Sequence, residues 1–416
     1  MKPLPPKGIP APQVFDELES LRADDVDWRN GKVFSLAYYA GPQAIAVAED
    51  AYRRFSGENA LSTDAFPSLR IMQQDVLSMV GPWLGAHKDS AGFMTSGGTE
   101  SILMVVKAAR DQFAQTRGVT TPNIVLPTSA HAAFEKACHY FGVESRRSAV
   151  GQDWRADIAA MERLIDDNTV MLVASAPQYP QGVVDDVTGI AALASQHGIN
   201  CHVDACMGGV TLAYLVKLGH PIPAWNLSVP GVTSISVDLH KYGYTSKGAS
   251  VVMYSSKSLR AHQGFFTDNW LGGMYASSGM LGTKSGGSIA SAWAVLRHLG
   301  DDGYTALVQQ TRNATEQLAN HIVAHPHLVL RAYPDSTLIC FGAADPSVLN
   351  VFAVADELRI RGWYVDRQTP PDSLHCTVNA IHHDKIDAFV VDLDASIELV
   401  LSTRLSGDVG SYGNLE

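Results

Sequence analysis

Hydrophobic and polar positions follow one another along most of this chain in blocks that read in turn as strands and helices. Ser68 to Leu84 sets Leu69, Met72, Val76, Met79, Val80 and Trp83 at helical spacing, with one buried face. Thr169 to Ala176 is a continuous apolar run that predicts a strand, and Asn123 to Pro127 and Asn200 to Cys206 also read as strands. Between them, Ala130 to Phe141, Ile158 to Leu164 and Gly189 to His197 predict helices. Strand–helix alternation of this kind implies an α/β fold with a mostly parallel sheet. Upstream, Gln43 to Phe55 reads as a helix, and Val14 to Arg22 as a short one in an arm that Pro3, Pro5, Pro6, Pro10 and Pro12 keep irregular. Past Gly282, helices are expected from Ser288 to Leu299 and from Tyr304 to Ala324. Short strands at Leu328–Tyr333, Thr337–Phe341 and His375–Asn379 follow, with helices at Val351–Arg361 and Lys385–Ser402. The expected division is an N-terminal arm (1–60), a large domain (61–295) and a small C-terminal α+β domain (296–416). Ser406 to Glu416 reads as a mobile end.

Ser234 to Tyr254 stands out. It reads as strand, short polar turn, strand, with Asp238, His240 and Lys241 at the end of the first strand. A lysine is seldom buried unless something pairs with it. Desolvation weakens its preference for the charged form and makes it a usable amine nucleophile, able to form a Schiff base with an aldehyde. A His-Lys pair by itself describes many surface turns, so the weight lies elsewhere. Thr95-Ser96-Gly97-Gly98-Thr99 is small and flexible and leads into a helical pattern. Such a helix start caps itself with hydroxyls or offers backbone N–H groups to an anion, and the segment alone fits both uses. Asp204 ends a predicted strand, and His131 opens a predicted helix just past another. Singly, each fits a structural role. Together they supply an amine, a counter-charge for a pyridine nitrogen, a phosphate cradle and a ring face, which are what pyridoxal phosphate asks of a protein.

Composition narrows the class of protein. The 416 residues include 46% hydrophobic and 18% charged positions, as in an ordinary globular enzyme. The net charge of −11 argues against nucleic acid or an anionic membrane as the main partner. Five cysteines without CxxC spacing support neither a disulfide framework nor a zinc site, and a reducing cytoplasm fits them. No run approaches the ~18–20 apolar residues that span a bilayer, and Met1 to Pro12 has no signal-peptide core.

Several segments carry a resemblance: Thr95-Ser-Gly-Gly-Thr-Glu-Ser-Ile-Leu-Met104, His131-Ala-Ala-Phe134, His202-Val-Asp-Ala-Cys-Met-Gly-Gly209, Gly231 to Ser236, His240-Lys-Tyr-Gly-Tyr244 with Lys247-Gly248, and Asn269 to Ser277. From about Tyr38 to the C-terminal domain, the chain resembles the sphingosine-1-phosphate lyases. These are a branch of the pyridoxal-phosphate-dependent group II decarboxylase-like family, with the aspartate aminotransferase fold (fold type I). The resemblance implies that Lys241 joins the cofactor, Asp204 pairs with the pyridine nitrogen and His131 stacks on the ring. It implies that Gly97, Gly98 and Thr99 hold the phosphate, beside His240. Gly286, in the Gly282–Gly287 loop, would serve the cofactor from the second subunit of an obligate homodimer with active sites at the interface. Tyr38 and Lys247 would lie near the substrate phosphate, with Asn59 and Ser62 in the substrate loop, and Tyr244 near the reacting carbons. A soluble, cytoplasmic bacterial form fits, because the membrane-spanning N-terminal segment of the animal enzymes has no counterpart here.

The chain departs from the family in three places. Ser62 stands where the family has His before its Phe-Pro, which removes one expected phosphate contact. Lys284 replaces an Arg, keeping the charge without the bidentate geometry. Tyr39-Ala40 replaces Trp-Gly at the pocket mouth. The implied reaction is retro-aldol cleavage of a phosphorylated long-chain base to a long-chain aldehyde and phosphoethanolamine. An amino-acid decarboxylase on the same fold, or a cofactor-binding protein without turnover, would keep the same cofactor residues.

Overall fold

The structure, a computed structural model, describes residues 3–409. Seven strands form the central sheet: β1 (Ala91–Thr95), β2 (Asn123–Pro127), β3 (Glu144–Ser148), β4 (Thr169–Ser175), β5 (Asn200–Asp204), β6 (Ser234–Asp238) and β7 (Ser250–Tyr254). Their spatial order is β1-β7-β6-β5-β4-β2-β3. β2 to β6 pair in parallel, and β7 runs antiparallel to both of its neighbours. The reversal has a local cause. Parallel neighbours need a crossover of a dozen or more residues, whereas β6 and β7 are joined only by the turn over 239–249. β4 is buried along its whole length, which is why it reads as an unbroken apolar run instead of an alternating one.

Register assembles the site. Thr95 of β1 and Asp238 of β6 both lie opposite Ser250 of β7. Asp204 of β5 lies between Ser175 of β4 and Ser236 of β6. A row of polar residues therefore crosses the sheet where β1, β4, β5 and β6 end, the edge at which ligands gather in open α/β sheets.

The sequence reading needs adjustment in several places. Ala91–Thr95, for which no strand was expected, is strand β1, so that Thr95, the first residue of the small flexible stretch, ends a strand. β3 carries Glu-Ser-Arg-Arg-Ser and gave no apolar signal, because an edge strand tolerates charge. The helix after β2 begins at Ala133, which leaves His131 in the loop before it. Thr211–Lys217 adds a helix, and β8 (Phe265–Thr267) with β9 (Tyr275–Ser277) forms a hairpin that was not anticipated. The two helices expected after Ser288 form one element, Gly287–Ala324, broken at Gly300 with φ 61° and ψ −177°.

β10 (Leu328–Leu330), β11 (Leu338–Ala343), β12 (Asp366–Gln368) and β13 (Ser373–Thr377) make a second, antiparallel sheet in the order β10-β11-β13-β12. Each sheet has its own apolar core. The long helix serves both: Ile289 and Val308 pack in the first core, and Ala314, Leu318 and Ile322 in the second. The N-terminal segment is anchored as well. Phe34 is fully buried in the second core, stacks on His382 at 4.1 Å, and exchanges backbone hydrogen bonds with Tyr364 and Thr377. The helix Ala11–Leu21 buries no residue. The mobile end expected over Ser406–Glu416 lies mostly outside the described residues. Among those described, no helix is long and apolar enough to cross a membrane, and all five cysteines are buried free thiols.

Candidate active site

At the polar edge of the large sheet lies a cavity of about 410 Å³. Ser96, Gly97, Gly98 and Thr99 line it from one side, His131 from another, and Asp204, Asp238, His240 and Lys241 from the floor. Of the expected cofactor residues, the structure brings together Gly97, Gly98, Thr99, His131, Asp204, His240 and Lys241.

Each is positioned by its element. Gly97 precedes the helix Gly98–Arg117, whose first N–H groups have no intrahelical partner and suit an anion. Gly98 must be glycine. A Cβ there would stand 2.8 Å from Cys206 Sγ and 2.9 Å from Asp238 Oδ2. Asp204 ends β5, and its Oδ1 accepts from the Cys206 N–H at 3.1 Å and the Ser236 hydroxyl at 3.4 Å. Its Oδ2 is left for a donor in the cavity. His131 Nδ1 accepts the Ala133 N–H at 3.1 Å, which fixes the ring at the cavity wall. Burial holds the imidazoles of His131 and His240 below their usual pKa.

Lys241 lies in the turn after β6, not on the strand itself. Its Nζ is 2.9 Å from Asp238 Oδ2. Burial alone would lower the lysine's pKa, but the adjacent carboxylate more than offsets this and the pKa stands raised. This reverses the expectation of an amine made reactive by desolvation: without cofactor, Lys241 is an ion-paired ammonium. Asp238 in turn is held below the usual carboxylate range. Burial opposes its charge, while Lys241, His240 and the Ser250 hydroxyl favour it.

A second cavity, about 380 Å³, adjoins the first at His240. Tyr38, Tyr244 and Lys247 line it. Lys247 Nζ donates to the Leu36 carbonyl at 2.9 Å and lies 5.2 Å from the centre of the Tyr38 ring. The side chain is open to solvent on one flank, and among the described residues it makes no ion pair. Partial desolvation, with Lys241 nearby, pushes its pKa down to about 8. Tyr244 is buried with a left-handed backbone, φ 56°, and its hydroxyl oxygen accepts the Ala380 N–H at 3.3 Å. A third cavity, about 730 Å³, shares His131 and Tyr179 with the first, and Val150, Trp154, Pro180 and Pro370 are among its walls.

Asn59, Ser62 and Gly286 line none of these cavities within one chain. They cluster elsewhere, where the Asn59 amide donates to Thr283 Oγ1 at 3.4 Å and the Gly286 N–H to the Glu58 carbonyl at 2.8 Å. Three residues that sequence reasoning gave no role belong to the site. Asp238 was visible beside Lys241, but its partner was not. Glu100, a buried acid in the first turn after the glycines, accepts the Ser96 N–H at 2.6 Å and the Met280 N–H at 2.8 Å. Tyr179 had no sequence signal.

The donor set fits pyridoxal phosphate. A lysine amine, a carboxylate with a spare oxygen, a glycine-lined helix start and an imidazole wall surround one cavity of suitable size. The fold and this site define a pyridoxal-phosphate-dependent enzyme of fold type I. The family model described as "Pyridoxal-dependent decarboxylase conserved domain" matches residues 4–344. The chain is 38% identical over 413 residues to sphingosine-1-phosphate lyase 1 of Rattus norvegicus, covering 99% of this chain and 72% of that protein. Among solved structures, a sphingosine-1-phosphate lyase from Burkholderia pseudomallei superposes with a TM-score of 0.92 at 33% identity, over 97% of this chain and 94% of that one. A glutamate decarboxylase from Lactobacillus brevis reaches 0.84 at 19% identity, over 97% and 95%, and shares the fold alone. The chain belongs to the pyridoxal-dependent decarboxylase family, in its sphingosine-1-phosphate lyase branch.

Proposed function

We propose that this protein cleaves a phosphorylated long-chain base, such as sphingosine 1-phosphate or dihydrosphingosine 1-phosphate, to a long-chain aldehyde and phosphoethanolamine. One observation carries the reading beyond the family: a lysine, Lys247, that makes no ion pair among the described residues, in a cavity that adjoins the Lys241 cavity. A decarboxylase of neutral or basic amino acids needs no such cation at the far end of its substrate, whereas a phosphate monoester does.

Lys247 and the Tyr38 hydroxyl bind the substrate phosphate. The N–H groups at Gly97, Gly98 and Thr99 bind the cofactor phosphate, Asp204 holds a proton at the pyridine nitrogen, and His131 supports the ring. Lys241 supplies the amine that anchors the cofactor. Bound there, pyridoxal phosphate withdraws the electron pair of a bond broken at the carbon that carries the substrate amine. With the C3 hydroxyl proton removed, the C2–C3 bond breaks, C3 leaves as the aldehyde carbon, and Lys241 returns a proton to C2. Tyr244 forms part of the wall near the reacting carbons. The largely apolar third cavity takes the alkyl chain.

Homodimerisation belongs to this reading. The hairpin arm exposes Phe265, Phe266, Trp270, Leu271 and Met274, an apolar run that a second copy would cover. Asn59, Ser62 and Gly286, remote from their own cavity, would then complete the partner's. A cytoplasmic location and the division into 1–60, 61–295 and 296–416 are proposed on the same footing.

The test is incubation of the cofactor-loaded protein with dihydrosphingosine 1-phosphate. Aldehyde and phosphoethanolamine are expected together, and neither from Lys241→Ala. Cofactor binding without aldehyde, or CO₂ release from an amino acid, would overturn the assignment.

A further inference from the structure

Asp238 is the least accessible charged group at the site, 2% exposed at the end of β6. It is held on every side. Oδ1 accepts the Ser250 hydroxyl at 2.6 Å. Oδ2 lies 2.9 Å from Lys241 Nζ and 3.7 Å from His240 Nε2. The bare Gly98 backbone passes directly over it, so the carboxylate sits beneath the phosphate cradle with no room to swing upward. Asp204 and Cys206 from the end of β5, His131 from the loop after β2, Tyr38 from the N-terminal segment and Lys247 from the same turn also act on this cluster. Among the described residues, Asp238 is the carboxylate that forms an ion pair with the lysine nitrogen. A buried carboxylate in this position is costly unless a cation answers it, so the geometry is built for an ammonium.

We propose that Asp238 is a positioning residue that receives the Lys241 ammonium whenever that lysine is not joined to the cofactor. Within the reaction proposed above, on which this part of the inference rests, a substrate amine displaces Lys241. The lysine then needs a place to stand as an ammonium before it returns a proton to C2, and the Asp238 carboxylate, which accepts and does not donate, provides that place and favours the charged form. The same contact governs loading of the cofactor. Attachment requires that the ammonium first give up a proton. The nitrogen lone pair then forms a bond to the aldehyde carbon of pyridoxal phosphate, and the carbonyl oxygen leaves as water with the two remaining amine hydrogens. Asp238 therefore makes attachment slow at neutral pH and steeply dependent on base.

The experiment needs no substrate, so it can fail independently of the functional assignment. Cofactor-free protein is mixed with pyridoxal phosphate at a series of pH values. The link is fixed with borohydride, and the fraction modified at Lys241 is read by mass spectrometry against time. For the native protein the rate is expected to climb about tenfold per pH unit with no plateau below pH 10.5, the ordinary lysine value. Asp238→Asn is expected to bring the plateau below that value and raise the rate at pH 8 by at least about tenfold, while turnover falls. A merely structural role would slow attachment at every pH without moving the plateau, and that result overturns the proposal. If Asp238→Asn does not fold, the native profile decides: a plateau reached below pH 10.5 overturns it, and a continued rise supports it.

Discussion

Replacing Lys247 by Met tests the substrate-phosphate site. Met keeps most of the apolar stem and removes the lysine cation that lies over the Tyr38 ring, leaving Arg29, paired with Glu49, as the other cation of that cavity. A hydrogen bond to a charged group contributes about 1.5–3 kcal/mol, and each 1.4 kcal/mol is tenfold. kcat/KM for the phosphorylated base should therefore fall between about 10-fold and 150-fold. Turnover of the same base without its phosphate should hardly change. The pH dependence adds a second readout. The pKa of Lys247 is pushed down to about 8 by partial desolvation and by Lys241. Its cationic form binds phosphate, so affinity in the native protein is full well below pH 8 and is lost as pH rises through it. The variant should lack that limb. Solvent on the open flank screens part of the interaction, which places the expected loss nearer the lower end of the range. The assay is initial-rate aldehyde formation across pH 6.5–9.5, with inorganic phosphate as a competitive probe. A loss below about threefold, or an unchanged alkaline limb, would refute the reasoning.

Gly98→Ala would drive a Cβ to 2.8 Å from Cys206 Sγ and 2.9 Å from Asp238. Overpacking of this kind costs about 1–3 kcal/mol, and pyridoxal phosphate titration of the cofactor-free variant should show weakened binding together with a lowered Tm. Leu271→Asp puts a charge on a fully exposed apolar residue of the hairpin arm. If the arm joins two copies, sedimentation should show dissociation and activity should fall with it; a monomeric native protein would refute the dimer.

The strands and helices around the site were legible because they are local. β2, β4 and β6 are short and fully buried, β5 is buried but for Asn200, and the helices at Pro42–Arg54 and Pro67–Val80 repeat their apolar residues at the helical period. The gathering of Lys241, Asp204, His131 and the Gly97–Thr99 loop round one cavity was legible because a cofactor site of this kind constrains residue type and order along the chain. β3 escaped because its pairing comes from a neighbouring backbone and not from its own charged side chains. The hairpin of β8 and β9 escaped because its apolar residues face outward in the single chain.

The sequence by itself determined which groups are available: an amine, two carboxylates, an imidazole, a helix start and a second lysine. Their use was decided only by tertiary structure. The reversed direction of β7 sets Thr95 and Asp238 opposite one serine and brings the glycine loop over the Lys241 turn, although more than a hundred residues of chain lie between them. That closeness buries Asp238 under the glycine loop, where its pair with Lys241 in the same turn holds the lysine as an ammonium, while Lys247 makes no ion pair among the described residues. The pair itself is local, but the burial that gives its charges their weight comes from residues distant in the chain, which no local pattern records.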